Sequence, residues 1–282
     1  MALVSVIIPT FNRPLETKRA ITSVLYQTYG DFEIIVVDDG SDQSLRDALQ
    51  PLRPHIKYIS HEINRGVSAA RNTGLKSSKS PLVAFLDSDD YWLPAKLSVQ
   101  IAFFNKNPEA VACQTNEVWI RQGKRINPKF RHLKPSGDIF VPSLKLCLIS
   151  PSAVMLKRSL LNEIGFFDED LPVCEDYDLW LRITCRYPVY LIDQNLVIKT
   201  GGHDDQLSSS RKGMDQYRIR SLVKLLKDGS LDRKQSQAAF QELKVKCQIY
   251  GQGCLKRTRL EQGKFYLQLP ERIHQEYLKR ST

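Results

Sequence analysis

The sequence predicts an α/β protein: a mainly parallel sheet flanked by helices, with a helical C-terminal extension. Three observations predict it. Short apolar runs rich in β-branched residues alternate with segments of helical period from the N-terminus onward, the pattern of successive β-α-β units. Hydrophobic residues make up 42% of the 282 and charged residues 26%, enough apolar material for a buried core inside a soluble surface. Charge is unevenly spread: residues 1–210 hold 24 basic and 24 acidic side chains, whereas 211–282 hold 17 basic and 7 acidic and carry the whole net charge of +10.

Taken in order, Val4 to Ile8 is the first apolar run. Asn12 stands where it can cap the next segment, with Pro14 near its first turn and Ala20, Ile21, Val24 and Leu25 on one helical face. Phe32 to Val37 reads as the second strand, a helix follows near Ser44, and Ile56 to Ile59 is a weaker third strand. Val67 to Leu75 reads as a small-residue helix and Leu82 to Leu86 as a fully buried strand. Pro94 opens a helix through Phe104, and Ala110 to Ile120 is a further strand before a loop-rich stretch around Gly123, Pro128, Pro135 and Gly137. Ala153 to Leu156 is extended, Arg158 to Ile164 and Tyr177 to Arg186 are helical, and Val189 to Ile198 is extended again. Beyond Gly201-Gly202 the pattern becomes basic helices, with Gly251 and Gly253 expected to break them.

No stretch approaches the roughly 20 apolar residues that span a bilayer. The N-terminal apolar stretch lacks the basic flank and small-residue cleavage pattern of a signal peptide. The six cysteines are scattered without C-x-x-C spacing, so reduced thiols are expected. Together these point to the reducing cytoplasm, with the protein either free or peripheral to the inner face of the cell membrane.

The polar residues collect where strands end. Pro9-Thr10, Asp38-Asp39 and Asp87-Ser88-Asp89-Asp90 each follow a buried strand directly. In an open α/β sheet, ligands bind outside the carboxyl ends of the strands, so three segments point to one crevice. The competing reading has Asp38, Asp39 and Asp90 capping helices or forming turns. A hard dication, Mg²⁺ or Mn²⁺, takes carboxylate oxygens while keeping positions for phosphate, which suits Asp87 and Asp89. Such an ion bridging two phosphates neutralises charge as a sugar-phosphate bond breaks.

These segments, together with Asn64-Arg65-Gly66-Val67-Ser68-Ala69-Ala70-Arg71-Asn72, lie in an order that resembles the family 2 glycosyltransferases. The resemblance covers about residues 4–205 and implies the GT-A fold. It implies a nucleotide-sugar donor site made of Pro9, Thr10, Asn12, Asp39, Arg71, Asp87 and Ser88, with Thr10 and Asp39 near the base and Asp87 near the ribose or metal. Asp89 is implied as the direct ligand of a divalent metal, Mn or Mg. A carboxylate such as Asp39 accepts the N3–H of uracil or thymine, which favours a UDP or dTDP donor over the GDP donors of some similar enzymes. Arg71 is a candidate for the base or diphosphate, against a plain surface arginine.

Gly165-Phe166-Phe167-Asp168-Glu169 and Cys174-Glu175-Asp176-Tyr177-Asp178 resemble the acceptor-side element of the same family, which implies Asp176 as general base, with Glu175 as substitute, in an inverting transfer. The competing reading is that these acids merely stabilise a helix N-terminus. His203, after Gly201-Gly202, resembles the family's late histidine and is a candidate for the metal or diphosphate, as against a solvated loop histidine; Lys199 and Arg211 are weaker phosphate candidates.

The expected organisation is therefore a GT-A domain over 1–210, with about 1–120 binding the nucleotide-sugar and 121–210 forming the acceptor side, and a basic helical extension over 211–282. The expected activity moves one sugar to a carbohydrate or lipid-linked acceptor in surface polysaccharide or glycan assembly. Two rivals stand beside it. A nucleotidyltransferase would want a glycine- and lysine-rich loop after the first strand, where this chain has Pro9-Thr10-Phe11-Asn12-Arg13. A nucleotide-sugar-binding scaffold without turnover would not need both the metal and base positions filled. The basic extension suits anionic lipid better than nucleic acid, since no recognition motif accompanies the charge, against a plain solvated helical extension or an oligomer contact.

Overall fold

A computed structural model describes residues 2–127, 132–202 and 213–280. Its contacts divide the chain into two compact units. The first is drawn from the described residues of Met1–Asp138, Leu148–Pro172 and Tyr187–His203, the second from those of Ile139–Cys147, Val173–Arg186 and Asp204–Thr282.

The first unit is built on one sheet. Its strands are β1 (Val4–Thr10), β2 (Phe32–Asp38), β3 (Lys57–Ser60), β4 (Leu82–Phe85), β5 (Tyr91–Trp92), β6 (Ala112–Arg121), β7 (Lys124–Ile126), β8 (Val154–Lys157) and β9 (Tyr190–Gly201). They run in the order β3-β2-β1-β4-β8-β6-β9-β5, with β7 paired to β6. β1 is parallel to both β2 and β4, and β2 is parallel to β3. The chain lays β2 and β3 on one side of β1 and then returns with β4 on the other, so the order reverses at β1. That reversal opens a crevice at the carboxyl ends of β1, β2 and β4. Every residue of β1 and β4 is buried, as expected of strands covered on both faces.

Helix α1 (Pro14–Leu25) lies on the sheet through Thr17, Ala20, Ile21 and Val24. The expected Asn12 cap is not formed. Arg13 holds the cap position without a side-chain bond, and Asn12, at φ 50°, turns its carboxamide to accept from the Asp42 N–H at 2.9 Å. An asparagine tolerates this left-handed backbone, and its side chain is worth more as a tie between two loops. Helix α2 (Gln43–Ala48) follows β2, α3 (Val67–Ser77) precedes β4, α4 (Lys96–Lys106) precedes β6, and α6 (Arg158–Ile164) follows β8, after α5 (Phe140–Lys145).

The second unit is helical. Here α5, α7 (Glu175–Thr184) and the helices Asp215–Asp228, Arg233–Leu255 and Leu260–Arg280 enclose a core that includes Leu144, Tyr177, Leu181, Leu222, Leu243 and Ile273. The basic C-terminal helices thus share a core with α7. Asp232 and Gln235 form a reciprocal capping box at the start of the long helix. That helix runs unbroken through Gly251 and Gly253, contrary to the break expected there. A Cβ on Gly251 would meet the Gly263 carbonyl at 3.1 Å and Leu267 at 2.9 Å, so Gly251 serves close helix packing.

Among the described residues no helix is long and apolar enough to cross a membrane. All six cysteines are free thiols.

Candidate active site

The loops after β1 and β2 are stitched together at the crevice. The Asp39 N–H donates to the Thr10 carbonyl at 2.8 Å, and the Asn12 N–H donates to Ser41 Oγ at 2.8 Å. Thr10 Oγ1 lies 2.6 Å from Thr17 Oγ1, which fixes Thr10 against α1. Asp38 points into structure: it accepts from the Ser41 N–H at 2.9 Å and from the Tyr58 hydroxyl. Burial and that carboxylate push Tyr58 up to about 12.

Asp39 is buried and holds the turn that enters α3. Its Oδ1 accepts from the Arg65 N–H at 3.0 Å and lies 2.7 Å from His61 Nδ1, and its Oδ2 accepts from the Gly66 N–H at 2.7 Å. Gly66 sits at φ +91°, a backbone that side chains rarely adopt. A carboxylate offers about four lone-pair sites, so Asp39 retains capacity for one further donor. The same turn delivers Arg71, buried on α3, whose Nη2 donates to Asp87 Oδ1 at 2.7 Å.

The acidic run begins where β4 ends. Asp89 pairs with Arg13 at 2.8 Å, and Arg19 Nη2 donates to the Asp89 carbonyl at 2.5 Å. Burial, then the neighbouring Asp87, raises the Asp89 carboxyl above its ordinary range. Asp90 is fully buried and structural: it accepts from Ser152 Oγ at 2.6 Å and from the Thr200 N–H at 2.9 Å, tying the run to β9. Burial raises its carboxyl well above the usual carboxylate range. Lys199 Nζ donates to Ser150 Oγ at 3.2 Å. Burial opposes the Lys199 charge, but Glu117 and the three aspartates outweigh it and hold the ammonium above the lysine range. Glu117 is likewise buried, yet Lys134, 3.1 Å away, and Lys199 pull it down to about 2.

The crevice therefore holds two part-exposed carboxylates, Asp87 and Asp89, facing Arg13, Arg71 and Lys199. The donor set fits a hard divalent cation, which needs only one or two carboxylates beside phosphate and water. Burial and the neighbouring Asp87 raise the Asp89 carboxyl, and such a cation would offset both. Of the other expected residues, Pro9 lies within β1 and Ser88 is buried between the two aspartates. His203 and Arg211 lie outside the described residues. Sequence reasoning did not single out Arg13, Arg19, Glu117, Ser152 or Thr200. Their partners are distant in the chain, as with Arg19 and Asp89 seventy positions apart, and no local period signals such a pair.

In the second unit, the acids that open α7 have separate partners. Asp178 is pinned between Arg182 and Lys224, at 3.0 Å each. Asp176 is part-buried: its Oδ1 accepts from the Tyr177 N–H at 2.7 Å and its Oδ2 from the Cys147 thiol at 3.3 Å. Glu175 is buried beside it. Tyr177, Leu179, Trp180 and Leu181 are buried, and Tyr177 and Leu181 belong to the core of this unit.

Comparison with known proteins extends the geometry. The model described as Glycosyl transferase family 2 matches residues 5–165. An uncharacterized glycosyltransferase of Rickettsia typhi is 33% identical over 213 residues, covering 74% of this chain and 66% of its own length. An Escherichia coli UDP-Glc:alpha-D-GlcNAc-diphosphoundecaprenol beta-1,3-glucosyltransferase is 37% identical over 182 residues, covering 64% of this chain and 69% of its own. The chain spans only 35% and 37% of the length of relatives from Rickettsia felis and Rickettsia conorii. Among solved structures, S. aureus TarS 1–349 in complex with UDP-GlcNAc aligns with a TM-score of 0.74 at 20% identity, covering 96% of this chain and 79% of that one. A mannosyltransferase from Pyrobaculum calidifontis, in complex with GDP-Man and Mn2+, aligns at 0.60 and 15% identity, covering 96% and 84%. At those identities the likeness is one of fold, here the GT-A fold. The family match spans more than half of the sequence and includes the segments that end β1, β2 and β4, and the chain belongs to glycosyl transferase family 2.

Proposed function

We propose that the chain is an inverting glycosyltransferase that moves one sugar from a UDP-sugar to a lipid-linked carbohydrate acceptor. The observation that carries this reading is the pair Asp87 and Asp89 at the carboxyl end of β4, beside the ends of β1 and β2 and facing three cations. Asp39 serves the base, through the acceptor capacity its carboxylate retains. Arg13, Arg71 and Lys199 serve the diphosphate, exchanging carboxylate partners for phosphate oxygens. Asp89 and Asp87 would hold a divalent cation, which would supply neutralisation of the leaving diphosphate. Asp176 takes the proton of the acceptor hydroxyl as that oxygen attacks the anomeric carbon opposite the diphosphate, which inverts the centre. The stretch 121–210 is proposed to form the acceptor side.

The Escherichia coli relative, named for UDP-Glc and GlcNAc-diphosphoundecaprenol, supports both the donor and the lipid-linked acceptor. The fold neighbour holding Mn2+ supports the metal. A lipid-linked acceptor brings the protein to a membrane surface, proposed here as the cytoplasmic face reached through the basic segment 211–282.

Calorimetric titration with UDP tests the donor half. Binding is expected to require Mn²⁺ or Mg²⁺, and Asp89→Ala is expected to weaken it by about 3 kcal/mol, roughly 100-fold. Equal affinity in chelator contradicts the metal role.

A further inference from the structure

We propose that the turn joining the helices Arg233–Leu255 and Leu260–Arg280 is a docking tip for an anionic lipid surface. Lys256, Arg257 and Arg259 occupy this turn and are exposed, and Lys264 is exposed about one helical turn further on. No carboxylate lies between Glu242 and Glu261, and Glu261 itself pairs with Lys264 at 3.1 Å.

Apolar side chains stand beside these cations. Leu260 is 56% exposed, Phe265 46% and Ile249 60%. Ile249 and Arg257 line one cavity of about 270 Å³, together with Tyr250 and Arg218. Phe265 also has Arg272 over its ring at 5.8 Å, so a further cation stands at this apolar edge. Cations flanking exposed apolar residues are the composition of an element that lies in a bilayer interface.

The tip is also preset. The N–H groups of Arg257 and Arg259 donate to the Cys254 carbonyl, and that of Gly263 to the Arg259 carbonyl. The close approach of Gly251 and Gly263 sets the spacing of the two helices. The cations are therefore displayed without ordering a flexible loop. This inference rests on the proposed function in one respect, that a lipid-linked acceptor brings the enzyme to a bilayer; the docking chemistry stands on the tip itself.

Sedimentation of the full chain with phosphatidylcholine vesicles, with and without phosphatidylglycerol, tests it at low salt. Binding is expected only to the anionic vesicles. The pair Lys256→Ala and Arg259→Ala is expected to weaken partitioning about 30-fold, from the gain per cation near such a surface. The pair Leu260→Ser and Phe265→Ser is expected to weaken it as well, whereas Lys76→Ala with Lys79→Ala, exposed cations of the first unit outside the proposed acceptor side, leaves it unchanged. The proposal is overturned if the wild type stays in the supernatant or either tip pair sediments like it. It is equally overturned if the Lys76 and Lys79 pair loses as much as the tip, which would make the attraction diffuse. UDP titration of the same proteins separates the two readings: loss of UDP binding by the wild type indicts the donor site and leaves the vesicle result standing.

Discussion

Arg71 and Glu117 show how individual charges shape the crevice. Arg71 is buried and its guanidinium meets Asp87, so Arg71→Ala leaves a carboxylate without its cation. Breaking such a pair costs about 3–5 kcal/mol when buried; Asp87 keeps 26% exposure, so a loss near the lower end is expected in denaturant titration, together with weaker UDP binding. Glu117 gives a pH signature. Its folded carboxyl is held at about 2 against an ordinary 4.5, so the stability it contributes is fully present above about pH 4.5 and is lost as pH falls toward 2. At 1.36 kcal/mol per unit this is about 3 kcal/mol, and Glu117→Gln is expected to flatten the acid side of a stability-pH profile. At this scale the sequence was half legible. Asp89 and Arg71 stood in ordered motifs, but the Arg13–Asp89 pair and the Glu117–Lys134 pair join residues that only the folded sheet brings together. Asn12 misled for a related reason, since its capping chemistry was used on Asp42 instead of its own helix.

Among the elements, two glycines carry packing that propensity alone misjudges. A Cβ on Gly74 would stand 2.4 Å from Ile7 Cγ2, so Gly74→Ala is expected to push α3 away from β1. Arg71 rides on α3, so the variant should lose UDP affinity along with about 1–3 kcal/mol of stability. Gly263→Ala in the second unit meets Leu255 at 2.5 Å and the Gly251 carbonyl at 3.0 Å. It is expected to lower the thermal midpoint although alanine is the better helix former by about 1 kcal/mol; an unchanged or raised midpoint would show that the helices separate freely. Gly251, which packs against Gly263, shows what the sequence concealed. Glycine inside a helical period reads as a breaker until a neighbouring helix is seen against it. The two-residue β5 and three-residue β7 are too short to show alternation, whereas β1, β2 and β4 were legible because burial on both faces demands continuous apolar runs.

Over the whole molecule, a charge-neutral first part and a basic remainder coincide only loosely with the two compact units, because α5 and α7 join the basic helices in one core. Hydrophobic period locates a helix but not the partner that buries it, which is why a boundary drawn from charge at residue 210 differs from one drawn from packing. The segments proposed for the donor half stood out in the sequence because they end adjacent parallel strands; Asp176 stood out only as part of an acidic helix start. Under the proposed function, Asp89 serves the leaving group and Asp176 the attacking hydroxyl. Single-turnover transfer from the proposed UDP-sugar donor to a lipid-linked carbohydrate acceptor, compared between the wild type and Asp176→Asn, tests that division most directly. The account predicts that the variant transfers about 10²–10⁴-fold more slowly while binding UDP with unchanged affinity; transfer at the wild-type rate would contradict it.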